Sequence, residues 1–108
     1  MTNLAVLAEG IRIGEKAGIA AGTLLQLLDD TGAKSFQMDV RGPWIAAGDF
    51  ASRFGLDLAL KDVRLGCEMA RAWGTDARIM KATLECFEEA SAKGFGGEDC
   101  NAVYKVIK

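Results

Sequence analysis

The chain has 108 residues, half of them apolar and 26% charged, with a net charge of -2. That is enough for one self-supporting core, and the near-neutral balance gives no electrostatic case for nucleic acid or an anionic membrane. There is no histidine, and the three cysteines, Cys67, Cys86 and Cys100, stand far apart, so a histidine-containing zinc site and a histidine-based triad are excluded.

The cysteines are expected to be reduced thiols on or near helix core faces of a cytoplasmic protein. Charges or glycines interrupt every apolar run, which argues against a membrane span. The start, Met1-Thr2-Asn3-Leu4, lacks the basic-then-apolar order of a signal peptide.

Helical periodicity runs through nearly the whole chain. Leu4, Leu7 and Ile11 form one stripe of a first helix, and Val6 and Ile13 form a second. That helix should therefore be covered on more than one side. Thr2 is expected to cap its start, and Lys16 and Gly18 mark its end. A second, short helix carries Leu24, Leu25, Leu27 and Leu28. It ends in Asp29 and Asp30, the wrong charge for a helix C-terminus unless something basic lies nearby. Ser35 is expected to cap a third helix through Phe36, Met38 and Val40. Pro43 should break it and start a short fourth with Trp44 and Ile45, closing at Gly48.

Asp49 to Gly55 reads as a loop. Asp57 is expected to cap the next helix, whose core positions Leu60, Val63, Cys67 and Ala70 are widened by Leu58, Leu65 and Met69. Asp76 is the expected cap of a helix containing Met80, Leu84 and Phe87. Asp99 is the expected cap of a last helix with Val103, Val106 and Ile107. No window alternates with strand period, and no internal boundary, repeat or low-complexity segment appears. The expectation is one all-α domain over residues 1–108, a compact bundle of about six helices with short connections.

Three constellations invite a chemical reading. Gly94-Phe95-Gly96-Gly97-Glu98-Asp99 follows a helix rather than a strand, and Asp99 stands where a dinucleotide fingerprint needs its third glycine. It reads as a helix-to-helix turn with an aspartate cap. Asp57, Lys61, Arg64, Glu68 and Arg71 share one helix face, and the spacing alone predicts a solvated stripe with Asp57–Lys61 and Arg64–Glu68 pairs. Glu85, Glu88 and Glu89 read as an acidic surface patch in which Lys81 and Lys93 pair with two of them. No nucleophile is paired with a base, and no metal cluster or phosphate loop is present.

Five segments in order carry a resemblance. Leu7-Ala8-Glu9-Gly10 through Glu15-Lys16-Ala17-Gly18-Ile19 resembles the "(S/A)EAL-x-LA-x-KAG(V/L)" helix of the β-hydroxyacid dehydrogenases, which include 3-hydroxyisobutyrate, tartronate semialdehyde and 6-phosphogluconate-like enzymes. Arg41-Gly42-Pro43, Asp49-Phe50 and Phe54-Gly55-Leu56-Asp57-Leu58-x-x-Lys61-Asp62 are similar to the family's "R-x-P…DF-x-x-x-F-x-(L/I)DL-x-x-KD(L/V)" run. Gly94-x-Gly96-x-x-Asp99 resembles its "G-x-G-x-x-D" ahead of the last helix. The likeness covers essentially the whole chain; Ala20-Ala21 departs from the Asp-Pro that often starts the family's second helix.

The resemblance implies a 6-phosphogluconate dehydrogenase C-terminal-domain-like fold. It also implies a two-domain enzyme whose N-terminal Rossmann domain carries NAD or NADP. The C-terminal helical domain closes the active site and forms a homodimer. Lys61 maps onto the lysine beside the nicotinamide, Phe54 onto the phenylalanine lining that cleft, and Asp62 onto the aspartate next to the lysine. The family's catalytic lysine sits in a "K-x-x-N-N" element ahead of Met1, so no catalytic residue is assigned within the chain. The chain alone is expected to bind neither NAD nor NADP, and no metal. The expected role is the substrate-binding and dimerisation half of an NAD(P)-dependent 3-hydroxyacid dehydrogenase. The alternative is a stand-alone, non-catalytic helical dimerisation module.

Overall fold

Five α-helices and a final 3-10 helix account for the chain in a computed structural model that describes all 108 residues. In order they are α1 (Thr2–Lys16), α2 (Ala21–Leu28), α3 (Phe36–Ala46), α4 (Leu56–Ala72) and α5 (Arg78–Ala90). A π-helical turn over Ser91–Phe95 then leads to the 3-10 helix Cys100–Val106. The all-α expectation and its helix count hold. The sole β-type feature is an isolated antiparallel bridge between Gly55 and Asp99.

α1 lies at the centre, packed against α2, α3, α5 and the 3-10 helix. Its stripe Leu4, Leu7 and Ile11 is buried with Met38 and Ile45 of α3, Leu56 and Leu60 of α4, Phe87 of α5, and Val103 and Val106. The second stripe is not covered: Val6 is 59% and Ile13 68% exposed. On α4, Leu60 and Val63 are buried, but Leu58, Leu65 and Met69 face outward instead of widening the core.

Several helix starts differ from expectation. Ser35 does cap α3, its hydroxyl accepting from Met38 N–H at 3.2 Å. Thr2, by contrast, is already inside α1, where the Met1 carbonyl accepts from Leu4 and Ala5. Asp57 is not a cap either. Gly55 is the N-cap of α4, and the first N–H groups go to distant carbonyls, Leu56 to Glu98 at 2.8 Å and Asp57 to Gly96 at 3.1 Å. Ala77 replaces Asp76 at the start of α5, and the Asp76 carboxylate pairs with Arg78 and Lys81. A free helix N–H needs an acceptor but not a local one.

Pro43 does not break α3, which runs unbroken through it. The clash that normally disfavours helix before proline involves the preceding Cβ, and the preceding residue is Gly42. That glycine also lets Leu25 pack close, since a Cβ there would lie 2.8 Å from a Leu25 methyl. At the end of α2, Asp29 finds the basic neighbour its position demands, Lys34 Nζ at 2.7 Å.

The stripe on α4 does not form the expected four-residue pairs: Asp57 and Arg64 reach to other elements, and Lys61 turns to its neighbour. Asp57 accepts from the Ser91 hydroxyl at 2.6 Å, Lys61 meets Asp62 at 3.1 Å, and Arg64 meets Glu88 at 3.1 Å. In the acidic patch, Lys93 pairs with Glu89 at 2.6 Å, while Lys81 turns to Asp76 at 3.8 Å.

Candidate functional site

The 49–55 loop connects α3 to α4 and is stitched to the segment before the 3-10 helix by backbone bonds. Asp99 N–H donates to Phe50 at 3.0 Å and Cys100 N–H to Phe54 at 2.8 Å. Gly94 makes the approach possible with φ of 90°, a left-handed conformation that glycine adopts without strain. Gly96 is needed for a different reason: the Asp57 carboxylate occupies the space a side chain would fill. The glycine-rich turn therefore closes a helix pair, as its sequence suggested.

Asp99 is the organising group. Its carboxylate is fully buried and accepts from Arg41 Nε at 2.9 Å, Phe54 N–H at 2.9 Å, Arg53 N–H at 3.3 Å and Asn101 N–H at 3.1 Å. The last of these is the helix cap expected of it. Burial pushes the carboxyl up, but the Arg41 hydrogen bond, the N–H groups of Asn101 and Phe54, and the guanidinium charge outweigh it. Asp99 is held below the ordinary carboxylate range. Arg41 also donates to Gln37 at 3.0 Å. Trp44 completes the cluster, with the Arg53 guanidinium 4.0 Å and that of Arg41 5.8 Å from its ring centre.

Of the three residues the sequence singles out, two share a cleft. Phe54 and Asp62 line a cavity of about 340 Å³ with Met1, Thr2, Val63 and Met80. Lys61 lies outside that lining, 59% exposed along its side chain, with its ammonium tied to Asp62. Asp62 sits well inside α4 and takes no part in holding the helix start. The cleft offers an apolar wall, one carboxylate and, across the Lys61–Asp62 pair, one ammonium. An ammonium there can donate several hydrogen bonds to oxygen acceptors. The cleft contains no nucleophile.

The cysteines add none. Cys100 is buried and Cys67 and Cys86 are half-buried, all unbridged. Burial first, then the Asp99 charge, pushes the Cys100 thiol up to about 11, so it is not a thiolate at neutral pH. No three side chains of the types that bind metal converge, and no helix is long and apolar enough to cross a membrane.

Arg41 and Asp99 were each visible in the sequence, one in the Arg-Gly-Pro motif and one as a cap. Their pairing was not. The signal available was chemical: each lies among residues that become buried, and a buried charge needs an opposite one.

With this geometry established, comparison with known proteins places the chain. A family model described as the NAD-binding region of NADP-dependent 3-hydroxyisobutyrate dehydrogenase matches residues 1–107. The chain belongs to that family. It is similar to 2-(hydroxymethyl)glutarate dehydrogenase of Eubacterium barkeri, with 32% identity over 105 residues, 96% of this chain and 35% of that protein. It is also similar to the cytokine-like nuclear factor N-PAC of Aedes aegypti, at 31% over 101 residues, 94% of this chain and 18% of that one. Among solved structures, 3-hydroxyisobutyrate dehydrogenase from Salmonella typhimurium superposes with a TM-score of 0.94 at 27% identity, covering 97% of this chain and 37% of that one. The chain thus spans about a third of the dehydrogenases it matches.

Proposed function

We propose that residues 1–108 are the C-terminal helical domain of an NAD(P)-dependent 3-hydroxyacid dehydrogenase, working as a cytoplasmic homodimer with a Rossmann domain closing over the Phe54–Asp62 cleft. The family match over nearly the full length carries this reading. The position of the cleft supports it. Met1 and Thr2, at the start of α1, form part of its wall, and the family's lysine element lies a few turns ahead of this helix. In an intact enzyme that lysine would reach the same cleft. The three free thiols suit a reducing compartment.

In this reading Phe54 and the apolar wall exclude water from the cleft, and Asp62 holds the Lys61 ammonium at its rim. Lys61 leaves Asp62, or shares it, to hold the cofactor. The nicotinamide, when bound, supplies the hydride acceptor. The upstream lysine takes the hydroxyl proton.

Two outcomes test it. The 108 residues carry neither a dinucleotide fingerprint nor the lysine element, so alone they should give no change in nicotinamide absorbance with NAD or NADP and a panel of 3-hydroxyacids. Turnover that survives repurification would contradict the reading. In an intact dehydrogenase containing this domain, Lys61→Ala should raise the cofactor KM about tenfold, the loss of roughly one charged hydrogen bond. Unchanged kinetics would return Lys61 to the role of a surface charge paired with Asp62.

A second reading, a non-catalytic helical dimerisation module, is favoured by the N-PAC relative, whose name is not that of an enzyme. The DNA ahead of Met1 separates them. An in-frame strand, "G-x-G-x-x-G" and helix support the enzyme, and a stop codon with a ribosome site supports the module.

A further inference from the structure

α1 is used on all sides but one. Its inner face is buried against α2, α3, α5 and the 3-10 helix. Its outer face carries Val6 and Ile13, 59% and 68% exposed, and residues seven apart lie on one helix stripe. Gly10 lies between them and has no atom within 4 Å of where a Cβ would stand. The middle of the stripe is therefore open to close approach, and on its far side Val6 and Gly10 border a shallow concavity with Leu28 and the Gly32–Ser35 turn.

Along one edge of this stripe lie Glu9 and Lys16, again seven apart, both exposed. Neither takes part in any of the chain's ion pairs. Arg12 and Glu15, by contrast, satisfy each other at 2.9 Å. An apolar stripe edged by one free acid and one free base is complementary to itself when run antiparallel. In an antiparallel helix pair, the same edge of each helix meets the other.

We propose that the outer face of α1 binds the same face of a second copy, antiparallel about a two-fold axis at Ile13, with Glu9 of each copy against Lys16 of the other. The proposal rests on the homodimer part of the reading above and adds its surface and register. Ile13 then meets its own symmetry mate, and Val6 of each copy faces the Ile19–Ala20 segment just past the other's helix end. The interface is isologous, as two-fold symmetry requires, and both edge charges gain partners.

The other outward stripe, Leu58, Leu65 and Met69 on α4, is a weaker match, since the Lys61 and Arg64 beside it are already paired within the chain. The exposed α1 stripe is also narrow against the area that stable interfaces bury, so association in the micromolar range is expected.

Sedimentation equilibrium from low micromolar to near millimolar concentration tests this. The wild-type chain should show a reversible monomer–dimer equilibrium. Ile13→Glu should abolish it while circular dichroism stays unchanged, because Ile13 supports no core packing. Glu9→Lys and Lys16→Glu should each raise the Kd about tenfold, since each reversal turns two attractive pairs into two repulsive ones. The double reversal should restore the wild-type Kd. Leu65→Glu should leave it unaltered. A dimer insensitive to Ile13→Glu, or one broken by Leu65→Glu, overturns this interface while leaving the homodimer standing. A monomer mass throughout overturns both.

Discussion

Asp99→Ala should cost about 3–5 kcal/mol of folding stability, the range for removing one partner of a buried ion pair. The loss strands Arg41, whose side chain is only 11% exposed, and leaves the Arg53 and Phe54 N–H groups without their acceptor. A domain of this length has about 5–15 kcal/mol in total, so the variant should sit close to its unfolding transition. In urea the midpoint should fall by roughly 2 M or more, taking a slope of about 1–2 kcal/mol per M. A fall below about 0.5 M would mean that the pair contributes little. Adding Arg41→Met should recover part of the loss, because the uncompensated charge disappears with it.

The same carboxylate contributes to the acid side of the stability profile. Its folded pKa is depressed, so the unfolded chain takes up a proton more readily than the folded one. The contribution of Asp99 is therefore fully present above its unfolded value of about 3.9 and fades as pH falls through the lower, folded value. Wild-type stability should decline steeply below about pH 4, and Asp99→Asn should remove that part of the slope. An Asp99→Asn profile that parallels wild type would reject the assignment.

Phe87→Ala should be comparably severe. Phe87 is fully buried and is the largest side chain in the core, on the helix that packs against α4, α1 and the 3-10 helix at once. Truncating a buried phenylalanine costs about 3–5 kcal/mol, part lost transfer energy and part cavity. Phe87→Leu, which keeps most of the volume, should cost less than about 1.5 kcal/mol. In a domain of this size the alanine variant should melt roughly 15 °C or more below wild type. A drop of only a few degrees would indicate that neighbouring side chains collapse into the space.

What the sequence makes legible here is what is decided locally. The buried stripe of α1, the Ser35 cap and the Asp99 turn all depend on residues within one or two helical turns. Asp57 and Asp76 had the chemistry of caps but not the role, because α4 takes its acceptors from the glycine turn forty residues away and α5 begins one residue past its expected cap. Pro43 had the chemistry of a breaker, but Gly42 lifts the Cβ part of the clash and α3 runs on for one more turn. Periodicity identified two apolar faces on α1 without telling which is buried, since the spacing of apolar residues along one helix does not say where its neighbours will pack. At the candidate site, the motif order placed Phe54 and Asp62 in one short run, and both line one cleft. The Arg41–Asp99 contact that positions the Phe54 loop joins residues 58 apart, and nothing local at either one announces the other.

The junction of Gly55 with Asp99 has a kinetic consequence. The two ends of the α4–α5 hairpin meet there, so the hairpin is an excursion from a ring closed by α1, α3 and the 3-10 helix. Closing that ring requires the long intervening segment to bring its ends together, an entropic cost met before any of the junction's hydrogen bonds forms. The hairpin itself has only near-neighbour contacts to make. Helical hairpins form quickly, and distant closures limit the rate. The expected slow step in folding this chain is therefore the arrival of its last few residues at the 49–55 loop, and weakening that junction with Asp99→Asn should slow refolding more than it speeds unfolding.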